Sequence, residues 1–308
     1  MSLPKTRFLI RNSASTIMPV MTIFKMLSGM LLPAVFTVLL SFNNTFAQTA
    51  EEYNDMGAHK SSNGDWRGAI DDYNKAIELN PGFESAYGWR GYAKAKLGDY
   101  KDAIQDYNKA IELLSKTSLA DSYNKAVMAE YYYDRGAAKD NLGDITGAIE
   151  DYNKAIELDP VFQSAYYNRG LAEEERAKYL SAIQDYSKAI EINPKDEDAY
   201  IARGVTKGKL GDYKGAILDL NMAIELNPKN HIAYLNKGSA KGKLGDNRGA
   251  ILDFDKALAL DPNNAIAYKN RGLAKINIDK KDSGCLDLSK AGELGYPKAH
   301  EIIKKYCY

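Results

Sequence analysis

Few residues of the chain have the types and spacing that chemistry needs. The three histidines, His59, His231 and His300, are far apart, and none has a neighbouring ligand at metal spacing. Carboxylates run together at Glu173-Glu174-Glu175, but such a run on a helix is ordinarily a solvated face. No glycine-rich loop is placed to cradle a phosphate. The residues therefore imply no catalytic group, no metal site and no cofactor, and the chain reads as a non-enzyme. Cys285 and Cys307 are the only cysteines, 22 positions apart near the C-terminus. An even count in an exported chain favours a disulfide, worth about 3 kcal/mol for a loop of this size. The alternative is two buried free thiols.

Charge narrows the partners. Basic and acidic residues number 41 each, but Lys5, Arg7, Arg11 and Lys25 lie in residues 1–47, which hold no acid. The remaining chain carries a net charge of −4 and no basic run. Such a body is not built for nucleic acid or for an anionic membrane surface. Residues 1–47 have the layout of a secretory signal: a basic start, the apolar run Met26–Leu40, then small residues at Thr45 and Ala47. Cleavage after Ala47 would make the protein periplasmic or secreted, with no stable membrane association. An uncut anchor is the alternative, although the run is short for a span of roughly 20 residues.

The elements that position everything else are repeats. Gly57, Gly91, Gly136, Gly170, Gly204, Gly238 and Gly272 step by 34, apart from one step of 45. Ala76, Ala110, Ala155, Ala189, Ala223, Ala257 and Ala291 step in the same way. Pro81, Pro160, Pro194, Pro228 and Pro262 close five units. Each unit divides into two amphipathic halves of about four helical turns around a turn such as Leu97 to Tyr100. Glycines such as Gly98, Gly143 and Gly211 stop the first helix, and the proline stops the second.

These units resemble tetratricopeptide repeats, whose period is the same. An early aromatic (Tyr53, Tyr87, Tyr132, Tyr166, Tyr200, Tyr234, Tyr268) precedes the glycine, and small crossing residues follow at Ala69, Ala103, Ala148, Ala182, Ala216 and Ala250. The resemblance covers residues 50–294 as seven units: 50–83, 84–117, 129–162, 163–196, 197–230, 231–264 and 265–294. It implies an all-α, right-handed superhelical solenoid of antiparallel helix pairs, with the first helices (A) lining a concave groove and the second (B) behind them. Residues 297–308 read as a capping helix, with Ala299, Ile302, Ile303 and Tyr306 on one stripe. An 11-residue insert near 118–128 equals three helical turns, so the third A helix is expected to start early, near Asp121 or Ser122. A loop is the alternative.

The resemblance also implies function: a scaffold or adaptor that binds a protein or peptide in the groove. Counting along the A helices puts Glu130, Tyr133, Asp140, Tyr167, Glu174 and Glu175 on that lining, followed by Ile201, Lys209, Leu235 and Lys243. The first group is acidic and aromatic, the second apolar with lysines. A carrier of a small ligand or envelope polysaccharide is the alternative, and for its aromatics only Tyr92, Tyr133 and Tyr167 qualify. The family's chaperone-tail clamp is not supported, because Asn54 and Ala58 stand where its residues would.

One departure from the family is systematic. A cation stands where an apolar residue is usual, just before the glycine: Arg90, Arg135, Arg169, Arg203, Lys237 and Arg271. Asp106, Asp151, Asp185, Asp219, Asp253 and Asp287 stand 16 residues later. An internal ladder of ion pairs, within a unit or between neighbours, is expected; solvated charges are the alternative.

Overall fold

A computed structural model describes residues 48–116 and 121–308. The signal-like segment and the start of the insert lie outside the described residues. Fifteen helices and no strand occur among those described, and none is long and apolar enough to cross a membrane. They fall into two compact units, one through Asp144 and one from Ile145.

The first unit holds α1 (Ala50–Ser62), α2 (Trp66–Leu79), α3 (Glu84–Lys96), α4 (Tyr100–Ser115) and α5 (Ser122–Asn141). Each helix packs on the next, and α3 also touches α1 and α5. The insert lengthens α5 to 20 residues, against 13 for α1 and α3. Its capping residue is Asp121, whose carboxylate accepts from the Tyr123 backbone N–H at 3.0 Å.

The second unit holds α6 (Ile145–Leu158), α7 (Gln163–Glu175), α8 (Tyr179–Ile192), α9 (Glu197–Lys209) and α10 (Tyr213–Leu226). It continues with α11 (His231–Lys243), α12 (Asn247–Leu260), α13 (Ala265–Ile276), α14 (Lys281–Glu293) and α15 (Ala299–Tyr306). Packing again runs from each helix to its successor, so the core is a strip without a centre. In these terms α1, α3, α5, α7, α9, α11 and α13 are the A helices.

Side-chain size sets the hairpin spacing. The crossing alanines and the B-helix residues Tyr73, Tyr107, Tyr152, Tyr186, Leu220, Phe254 and Leu288 are buried. A methyl group on Gly57 would lie 2.5 Å from the Tyr73 ring, so only glycine lets that ring reach the A helix. In the last hairpin Gly284 replaces the crossing alanine, and a Cβ added there would lie 2.7 Å from the Gly272 carbonyl oxygen.

The turns follow the sequence punctuation. Gly98, Gly143, Gly211 and Gly245 adopt φ between +84° and +86°. The amide of Asp99 closes the end of α3 by donating to the Lys94 carbonyl at 2.9 Å. Ala177 and Asp279 occupy the equivalent turn place with φ of 58° and 62°, which side chains resist.

The C-terminus is tied down. Cys285 on α14 and Cys307, just past α15, form a disulfide with Cα atoms 5.8 Å apart. Ala299 is buried and Ile302 and Ile303 are half-buried, whereas Tyr306 is exposed and not part of the covered stripe. Lys305 instead lies 5.0 Å from the centre of the Tyr306 ring.

Candidate binding surface

The repeating charges face inward. Arg203 on α9 donates from Nε and Nη2 to Asp219 on α10, at 3.0 and 2.7 Å. Its third nitrogen, Nη1, donates to Ser187 Oγ of the preceding hairpin at 3.0 Å. The guanidinium also sits 5.7 Å from the centre of the Tyr200 ring. The same fork joins Arg90 to Asp106, Arg169 to Asp185 and Arg271 to Asp287, with third arms to Asn74, Asn153 and Asp255. Lys237 reaches Asp253 at 3.1 Å. Arg135 belongs to the first unit, where it donates to Asn108 and lies over Tyr132; Asp151 is buried in the second.

Sequence reasoning missed a lysine on five carboxylates, the second cation on all of them but Asp72. Lys60, Lys94, Lys207, Lys241 and Lys275 reach Asp72, Asp106, Asp219, Asp253 and Asp287 at 2.6 to 2.8 Å. The signal was present, since each lysine lies one helical turn beyond the arginine's place. The fourth hairpin breaks the rule with Glu173. Burial, with Glu173 adding repulsion, holds the Asp185 carboxyl above the usual range despite Arg169. The hydrogen bond to Asp287 outweighs burial and raises the Arg271 guanidinium.

The expected groove residues divide sharply. Glu130, Glu175 and Lys243 are exposed on their A helices. Tyr133, Asp140, Ile201 and Leu235 are buried, which corrects their reading as lining. Within a unit α3 touches α1 and α5, and α11 touches α9 and α13, so residues on the flank of an A helix fill the seam. Ile201 packs with Tyr200, Leu220 and Ala233, and Leu235 with Phe254, Leu258 and Ala267. Tyr167 is half-buried, 5.7 Å from the Tyr186 ring. Glu174 is no free acid either. It accepts from Lys209 and Thr206 of the next hairpin, and from the Tyr186 hydroxyl at 3.3 Å.

Aromatics gather elsewhere, in the first unit. Trp66 and Trp89 lie edge-on to Tyr92, with ring centres 5.9 and 6.0 Å away. Trp89 is 47% exposed and was not singled out from sequence, where a lone tryptophan gives no hint of convergence. Nearby, Tyr131 of α5 fits against Gly88 and donates its hydroxyl to Glu84 at 2.7 Å.

A strip of helix pairs with inward-turned charges and non-repeating exposed side chains defines a repeat scaffold, a class that works by presenting surface. The chain belongs to the tetratricopeptide-repeat family. A TPR repeat profile matches residues 61–98 and 141–176, and two tetratricopeptide repeat profiles match 85–116 with 164–196 and 197–230 with 231–264. A tetratricopeptide repeat protein from Parabacteroides merdae is 25% identical, over 83% of this chain and 96% of that one, with a TM-score of 0.58. The C-terminal part of a repeat protein from Cytophaga hutchinsonii is 19% identical, over 80% and 98%, with a TM-score of 0.63. YrrB, described as a TPR protein with an unusual peptide-binding site, is 24% identical, over 65% and 97%, at 0.53. No curated protein matches the chain. The all-α solenoid is the fold of this family, whose members are in general non-enzymatic scaffolds for protein interaction.

Proposed function

We propose that the protein is an adaptor of the cell envelope that holds a partner protein or peptide along the exposed face of its A helices. One observation carries this reading. The charges of the ladder are paired inside the scaffold, whereas exposed A-helix residues such as Trp89, Glu130 and Glu175 differ from those of adjacent hairpins. A surface that varies on a constant frame is where selectivity resides. The Cys285–Cys307 disulfide supports an oxidising compartment, in keeping with the signal-like N-terminus.

Capture from envelope extract, followed by mass spectrometry, tests the reading when Glu130→Lys and Glu175→Lys are run beside the unaltered chain. A protein band that the reversed charges abolish supports the adaptor. Retention of glycan alone overturns it in favour of a carbohydrate carrier.

A further inference from the structure

The chain's two tryptophans lie 23 positions apart, yet both meet Tyr92. Lys96, the last residue of α3, rests 5.0 Å from the centre of the same ring. Trp89 opens this cluster to solvent on one side. Asp134 of α5 lies near enough for its charge to act on Tyr92, Lys96, Tyr107 and Tyr131.

Asp134 differs from the ladder aspartates. Asp72, Asp106, Asp219, Asp253 and Asp287 each hold a cation, whereas no hydrogen bond or ion pair joins Asp134 to another described residue. Lys96 bends toward Tyr92 without reaching the carboxylate. Asp134 is half-buried, and a carboxylate left without a protein partner in an otherwise paired scaffold is open to one that a ligand supplies.

We propose that Trp66, Trp89, Tyr92 and Asp134 form a pocket for a cationic side chain, a lysine or arginine presented by the bound partner. This rests on the adaptor reading and names the chemistry its partner brings. Aromatic faces attract a desolvated cation, and a nearby carboxylate gives it a counter-charge. Lys96 already shows what the Tyr92 face accepts. It sits at a helix end on a flexible stem, so an incoming cation displaces it toward solvent.

The groups facing Asp134 are Glu130 and Tyr131 on its own helix, Tyr92 and Lys96 on α3, and Tyr107 on α4. Burial, then the Glu130 charge, push its carboxyl up to about 8 against the pull of Lys96. A cation binds the ionised form, so affinity rises with pH up to that value and then levels.

The tryptophans are themselves the reporter. The full chain is titrated with a hexalysine peptide while tryptophan fluorescence is followed, with hexaglutamate as control. Saturable binding that tightens about tenfold between pH 7 and 9 is expected, as one proton is released. Asp134→Asn is expected to weaken binding at least tenfold and flatten the pH profile, while Lys96→Met tightens it. Circular dichroism of Asp134→Asn verifies that its helices persist. Equal binding by wild type and Asp134→Asn, a flat wild-type profile, or an equal response to hexaglutamate overturns the pocket. If wild type and Asp134→Asn also capture the same envelope protein equally, the adaptor reading stands without it.

Discussion

Replacing Arg203 by alanine removes two hydrogen bonds to Asp219, one to Ser187 and the cation over Tyr200 in a single step. Asp219 is only 4% exposed and keeps a single cation, Lys207 at 2.8 Å. Loss of one member of a buried pair costs about 3–5 kcal/mol because the survivor is left poorly solvated. The remaining lysine places Arg203→Ala near the lower end, at about 3 kcal/mol. At about 2–4 °C per kcal/mol for a chain of this size, the melting temperature falls by about 6–12 °C. Thermal melts followed by circular dichroism measure the fall. The double variant Arg203→Ala with Asp219→Ala completes a cycle in which the combined loss is smaller than the sum. A fall below about 2 °C, or strict additivity, refutes the claim that the ladder holds the hairpins together.

Glu173→Lys gives the fourth hairpin the second cation of its relatives and relieves the repulsion on Asp185, so a gain of about 1 kcal/mol in urea unfolding is expected. Ala177→Gly removes the strain of a side chain at φ 58° and gains about 0.5–1 kcal/mol by the same assay. Reducing the Cys285–Cys307 bond costs about 3 kcal/mol locally, seen as faster hydrogen exchange over residues 285–307 with α7–α12 unchanged. For Asp134 the sign runs against the usual carboxylate. Its folded pKa of about 8 exceeds the ordinary 3.8, so its contribution is lost as pH rises from about 4 to 8. Asp134→Asn therefore melts higher than wild type at pH 8, and the two converge toward pH 4; equal melting at both values contradicts this.

The frame was legible from residues because the determinants of a hairpin are local. Prolines at 81, 160, 194, 228 and 262 each follow a helix that ends two residues earlier, and the positive-φ turns fall on the expected glycines. The Arg203–Asp219 type of pair was legible too, since both partners recur at one offset within a hairpin. Its third arm was not, because Ser187 and Asn74 belong to the preceding hairpin and their reach depends on how units stack. The same dependence misplaced Ile201 and Leu235. Each is buried in a cluster that includes an alanine of the following hairpin, Ala233 or Ala267, a neighbour the order of residues does not record. Asp134 went unremarked because nothing in the order of residues records the depth at which a carboxylate lies.

A photo-crosslinking residue, placed in turn at Trp89, Glu130, Glu175 and Lys243 on A helices and at Gln105, Gln184 and Leu252 on B helices, tests the central claim most directly. All seven side chains are exposed, so access does not decide the outcome. Crosslinks to an envelope protein from the A-helix positions, and none from the B-helix positions, are the expected result. Crosslinks confined to the B helices, or no protein crosslink from any position, would contradict a scaffold that holds its partner along the A face.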